Sequence, residues 1–178
     1  MRIVAGAFKG RRLKGPTWDG LRPTSDKLRE TLFNILAPRI GGARLLDGYA
    51  GTGAVGIEAL SRGAAHVTFV ERDRRAARLI GENLAICGVE ADYTIDIGDL
   101  VAALRPKDTA FDVIWLDPPY DLASVGEALA TAAGALRPDG VLVLERATRR
   151  EPDVPASLTR TRDVKSGDST LTFFARTP

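Results

Sequence analysis

The chain has one cysteine, one histidine and one methionine in 178 residues. A single cysteine, Cys87, excludes an internal disulfide framework and fits a reducing compartment, so a cytoplasmic protein is expected. One cysteine and one histidine, His66, cannot assemble the usual ligand sets of a zinc site, and no metal is expected. With His66 alone at the start of an expected strand, Ser-His-Asp catalysis is also excluded. Aromatic side chains are sparse, at 6%. No apolar run approaches the ~20 residues of a membrane span. The opening Met1-Arg2-Ile3-Val4-Ala5-Gly6 lacks the apolar stretch of about 7–15 residues that marks a secretory leader. The chemistry is therefore expected from carboxylates, backbone groups and a bound cofactor.

What the chain does have is a charge asymmetry hidden in a net charge of +2. Residues 1–30 hold Arg2, Lys9, Arg11, Arg12, Lys14, Arg22, Lys27 and Arg29 against three acids, a net +5. The remainder carries 17 basic and 20 acidic residues, a net −3. A basic head on a mildly acidic body is the footprint of a polyanion contact, and equally of a solvated charged face.

The length suits one compact unit with a three-layer core. Residues 3–6 and 11–14, joined through Gly10, read as a short basic hairpin. Thr24 or Ser25 caps a helix through Leu28, Leu32, Ile35 and Leu36 that is expected to end before Pro38. Apolar strands then alternate with helical patterns, as in a doubly wound α/β domain. Strands are expected at 44–46, 67–70, 93–95, 111–116 and 141–145. Helices are expected at 54–62, 73–86, 100–104 and 122–136, with a turn at 137–140. A loop at 146–157 leads to a closing hairpin around Gly167-Asp168. The division expected is 1–38 as the basic hairpin and helix, and 39–178 as the α/β domain.

Two motifs stand out. Asp117-Pro118-Pro119-Tyr120 follows the apolar strand 111–116. Two prolines cannot extend a parallel sheet, since each lacks an N–H and fixes φ. The strand must stop there and present a carboxylate, a carbonyl outside the ladder and an aromatic ring. Carboxylate and carbonyl together can grip a planar amino group, with Tyr120 stacked on its ring. The second motif is the glycine loop after strand one, Asp47-Gly48-Tyr49-Ala50-Gly51-Thr52-Gly53-Ala54-Val55-Gly56. Its spacing matches the dinucleotide fingerprint, with Glu71 at the end of strand two placed to take two ribose hydroxyls. Asp47 separates the possible ligands. A carboxylate beside the glycine turn would repel a pyrophosphate, but it favours the ammonium and sulfonium of S-adenosylmethionine. Asp99, past strand three, can accept from an adenine amino group.

On these motifs the chain resembles the class I amino-methyltransferases, and one family closely. It is similar to the RsmD-type methyltransferases, which modify the N2 of a guanine in small-subunit (16S) ribosomal RNA. Residues 2–6, Lys9-Gly10-Arg11, residues 21–34 and residues 56–64 carry the narrower likeness. Gly48-Tyr49 and Thr52 depart from it, since many members have cysteine-phenylalanine and serine there.

The resemblance implies a seven-stranded, mostly parallel Rossmann-like sheet with helices on both faces and a closing antiparallel hairpin. It implies S-adenosylmethionine held by Asp47, Gly48, Gly51, Gly53, Glu71, Arg72 and Asp99. Asp117, Pro118, Pro119 and Tyr120 would form the catalytic motif. Arg2, Lys9, Arg11, Arg12, Arg22 and Lys27 would contact 16S rRNA, within a small-subunit or assembling particle, in a monomeric protein. The rival substrates are a DNA adenine and a protein glutamine. DNA would call for a target-reading domain that 178 residues leave no room for, and glutamine for a peptide-docking module that is not evident. A non-catalytic RNA-binding assembly factor and an NAD-linked oxidoreductase are the remaining alternatives. The intact acceptor motif argues against the first, and Asp47 against the second.

Overall fold

Along β4 (Phe111–Leu116), Val113 and Trp115 bury into one core cluster while Ile114 and Leu116 bury into another. A strand apolar on both faces needs a helix layer on each side. The computed structural model, which describes residues 1–20, 24–104, 110–119 and 125–178, supplies both layers. The elements run α1 (Asp26–Ile40), β1 (Arg44–Gly48), α2 (Ala54–Ser61), β2 (His66–Glu71), α3 (Arg74–Cys87), β3 (Tyr93–Ile97) and α4 (Leu100–Leu104). After β4 come α5 (Val125–Ala135), β5 (Leu136–Ala147), β6 (Leu158–Ser166) and β7 (Ser169–Arg176). The core of α1, α2 and α3 packs with Leu45, Phe69 and Trp115, and that of α4 and α5 with Leu46, Ile114 and Leu144.

The seven strands lie in the order β3-β2-β1-β4-β5-β7-β6. The first five are parallel, and β7 runs antiparallel to both β5 and β6. The expected mostly parallel sheet with a closing hairpin is therefore present. Strand order reverses between β1 and β4. In open α/β sheets that reversal opens a crevice at the carboxyl ends of the strands, where ligands bind.

Three local expectations are refined. First, the basic hairpin is present but short: Arg2 and Arg12 form an antiparallel bridge, closed by Ile3 N–H to the Arg11 carbonyl (3.0 Å), Gly10 N–H to the Ile3 carbonyl (2.9 Å) and Leu13 N–H to the Met1 carbonyl (3.2 Å). The Val4 and Ala5 N–H groups donate to the Glu58 carboxylate of α2 at 2.8 and 2.9 Å. Second, α1 runs through Pro38 to Ile40. Proline so near a helix end forgoes one backbone hydrogen bond, and buried Leu36 and Ile40 hold the last turn to the core. Third, β5 starts at Leu136, paired with Phe111, rather than at Val141. The residues expected as a turn are an irregularity in that strand, which is where a sheet tolerates Pro138.

The N-terminal segment is fastened to α2. Ser61 accepts from Ala7 N–H through its carbonyl (2.7 Å) and from Phe8 N–H through its hydroxyl (2.9 Å). Glu58, fully buried, is also paired with Arg62 at 2.9 Å and with Arg29 at 3.4 Å. Arg29 is itself fully buried and reaches Asp26 and the Arg2 carbonyl. It therefore belongs to a structural ion-pair network rather than to the exposed charge of the basic head.

Candidate functional site: acids at the carboxyl edge of the sheet

The turn after β1 is built from backbone that only small residues permit. Gly51 (φ 57°) and Gly53 (φ 76°) are left-handed. A Cβ on Gly48 would lie 2.5 Å from the Leu116 side chain, so the glycine lets β1 and β4 approach closely. A Cβ on Gly56 would lie 2.2 Å from the Phe69 ring, so this third glycine serves helix-to-sheet packing. Tyr49, at φ 61°, adopts the left-handed region without being glycine, a strained conformation of the kind that gathers at functional sites.

Acids hold this turn. Asp47, only 1% exposed, accepts from Gly56 N–H at 2.8 Å. Its carboxyl is pushed up to about 8, chiefly by burial and further by the charge of Glu71, against the lowering effect of the Gly56 hydrogen bond. Glu71 accepts from Gly51 N–H through one oxygen and from Asp73 N–H through the other, each at 2.8 Å. It thereby ties the β1 turn to the start of α3. Arg72 follows it, exposed, at the same edge. Asp99 is exposed and accepts from Val101 and Ala102 N–H at 2.9 and 3.2 Å, capping α4. The Tyr49 hydroxyl is pushed up to about 12, first by burial and then by the charge of Asp99.

Asp117 follows β4, and its N–H donates to the Gly48 carbonyl at 3.3 Å. That bond sets the acceptor motif directly beside the glycine turn. The Asp117 carboxyl is held well above the usual carboxylate range by burial, and further by the charges of Glu145 and Asp47. Among the described residues, neither Asp47 nor Asp117 forms an ion pair. Pro118 is buried and Pro119 exposed, and both line a cavity of about 270 Å³ with Leu144, Glu145 and Arg146. Tyr120 and Arg22, both expected in the site, lie outside the described residues. Glu145 was missed in the sequence. Along the chain it is only an acid after the apolar run Val141–Leu144, and its place beside the acceptor motif is set by the β4–β5 register.

Arg2, Lys9, Arg11, Arg12 and Lys27 are all exposed. Arg2 stands 3.7 Å from Asp26, and Arg11 donates to the Ile86 carbonyl at 3.1 Å. The N-terminal segment reaches the edge at Trp18, whose ring lies under the Arg75 guanidinium at 5.0 Å. No helix among the described residues is long and apolar enough to cross a membrane.

The strand order, the glycine turn and the acids on successive strand ends define a class I methyltransferase. A family model described as conserved hypothetical protein 95 matches residues 1–175. The chain belongs to that family, the RsmD family of methyltransferases. Ribosomal RNA small subunit methyltransferase D of Haemophilus influenzae is 37% identical over 172 residues, covering 94% of this chain and 89% of its own. The protein of the same name from Escherichia coli K12 is 35% identical over 179 residues, covering 99% and 90%. The solved structure of yhhF from Escherichia coli superposes with a TM-score of 0.88 at 35% identity, over 99% of this chain and 97% of that one.

Proposed function

We propose that this protein transfers the methyl group of S-adenosylmethionine to the exocyclic N2 of a guanine in 16S rRNA. The observation that carries the reading is the Asp117 N–H bond to the Gly48 carbonyl, which holds an amino-gripping motif against a cofactor-type glycine turn. Relatives named as small-subunit rRNA methyltransferases support the substrate class.

The cleft suits a cationic donor. Among the described residues Asp47 has no counter-ion, and burial raises its pKa. Glu71 uses each oxygen once on backbone N–H groups, and a carboxylate has further lone pairs for ribose hydroxyls. Gly48, Gly51 and Gly53 would let the backbone approach the ligand, with Arg72 and Asp99 at the rim. When bound, S-adenosylmethionine supplies an electrophilic methyl group on a sulfonium.

This chain's own contribution is positioning and desolvation. A guanine N2 lone pair is delocalised into the ring and is a poor nucleophile. Its two hydrogens would be accepted by the Asp117 carboxylate and the Pro118 carbonyl, which draws the nitrogen toward tetrahedral character. The proton can leave after transfer, and the raised pKa of Asp117 makes its carboxylate a competent acceptor. The base must be unstacked to reach this edge, with Tyr120 as its stacking partner. Arg2, Lys9, Arg11, Arg12, Arg22 and Lys27 would hold phosphates, in a cytoplasmic monomer acting on rRNA or on an assembling particle.

Labelled S-adenosylmethionine incubated with naked rRNA, unmethylated small-subunit particles, DNA and protein fractions tests this reading. Label is expected in small-subunit rRNA. Label confined to DNA or protein would refute it.

A further inference from the structure

Glu145 stands at the end of β5, beside the residue proposed to grip the acceptor nitrogen. The β4–β5 register pairs Trp115 with Val143 and Leu116 with Leu144. Continued by one residue, it sets Asp117 next to Glu145 on adjacent strands, about 4.8 Å apart. Side-chain alternation puts both on the face that holds Trp115 and Val143. Leu171, the antiparallel partner of Glu145, lies on that same face. Glu145 is 6% exposed and lines the cavity that also touches Pro118 and Pro119. Its charge is one of those that raise Asp117.

We infer that Glu145 reads the ring of the acceptor base, accepting the N1–H of guanine while Asp117 and the Pro118 carbonyl hold the N2 amino group. The inference rests on the guanine reading above and deepens it. Guanine presents N1–H and its amino group as adjacent donors. Adenine and cytosine instead carry a ring nitrogen lone pair beside their amino groups. A carboxylate facing that lone pair meets a second acceptor, and both are left unpaired, which is how a buried polar site rejects the wrong ligand. The Asp-Pro-Pro motif alone grips an amino group on any ring. Glu145 restricts the ring to guanine, and its role is that of a specificity residue in the pocket.

The test compares guanine with 2-aminopurine, placed at the mapped methylation position of a small-subunit rRNA fragment. 2-Aminopurine keeps the amino group and replaces N1–H with a lone pair. The wild-type protein is expected to favour guanine at least ~10-fold in kcat/KM. In Glu145→Ala that ratio falls toward one, because the guanine rate drops while the 2-aminopurine rate holds. Glu145→Gln, nearly isosteric, also lowers the ratio, since an amide can face either edge. Thermal melting and S-adenosylmethionine binding verify that each variant is folded. A purely structural role would slow both substrates alike, and an unchanged ratio in both variants overturns this inference alone. A wild-type protein that methylates no guanine N2 overturns the underlying reading, and this inference with it.

Discussion

The molecule buries carboxylates in two places and treats them in opposite ways. At the amino-terminal side, Glu58 is fully buried and surrounded by Arg29, Arg62 and the Val4 and Ala5 N–H groups. At the carboxyl edge of the sheet, Asp47 and Asp117 sit near each other and Glu145, with no ion pair to either among the described residues. A buried acid with matched cations fastens two segments together. Asp47 and Asp117, with no cation paired to them among the described residues, pay in raised pKa and await donors from outside. Charge alone does not distinguish the two, and the partners do.

Mutations separate these roles, and the largest effect belongs to the carboxyl edge. Asp117→Ala is expected to lower methyl transfer by ~1,000-fold or more while S-adenosylmethionine binding survives. Single-turnover rates beside a binding titration would check this, and near-normal turnover would remove Asp117 from the mechanism. Next, Glu58→Ala leaves buried Arg29 without one of its two counter-charges, and should destabilise the fold by about 3–5 kcal/mol in denaturant titrations. Affinity for S-adenosylmethionine, measured where that variant is folded, should stay near the wild-type value. Loss of binding without loss of stability would erase the contrast between the two clusters.

Asp47 carries the pH dependence. Its carboxyl lies at about 8 in the folded protein against an ordinary 3.8. A group raised on folding contributes stability that is present below the lower value and lost as pH rises through the higher one. The ligand-free protein should therefore lose stability between about pH 4 and 8, and Asp47→Asn should flatten that window. Over the same range, affinity for cationic S-adenosylmethionine should rise with pH, while affinity for the neutral-sulfur product S-adenosylhomocysteine rises less. In Asp47→Asn the preference for the cation should shrink by about tenfold, or ~1.4 kcal/mol. Isothermal titration across pH measures both, and an unchanged preference would mean that Asp47 only shapes the glycine turn.

The smallest effects belong to the basic surface. Arg12→Ala with Lys27→Ala should weaken RNA binding evenly across sequences and lower the salt slope by about two. Point substitutions are the better probe there, because deleting residues 1–20 would remove Ile3 and Leu13, both in the core. An unchanged salt slope would give these side chains another purpose.

The sheet and its central site were legible in the sequence because they rest on local rules. An apolar run that ends in Asp117-Pro118-Pro119 must stop as a strand, and the glycines of the β1 turn have few readings. Helix and strand bounds near Gly88 and Gly167 followed from residues that tolerate left-handed backbone. What escaped depended on partners distant in the chain. Arg29 looks like a solvent-facing cation until Glu58, nearly thirty positions later, is folded against it. The hairpin at residues 3–14 was legible, but its docking on α2 through the Val4 and Ala5 N–H groups and the same carboxylate was not. Glu145 became visible only when the register placed it beside Asp117. Pairings between adjacent strands cannot be read along one strand.

The central claim, that the acidic edge transfers a methyl group to a guanine amino nitrogen, is tested most directly by digesting small-subunit rRNA after reaction. Wild-type protein and Asp117→Ala would each be incubated with unmethylated particles and S-adenosylmethionine, and the nucleosides identified by mass spectrometry. The account predicts N2-methylguanosine with the wild-type protein and none with Asp117→Ala. Methylation at another nucleoside, or equal N2-methylguanosine from both proteins, would contradict it.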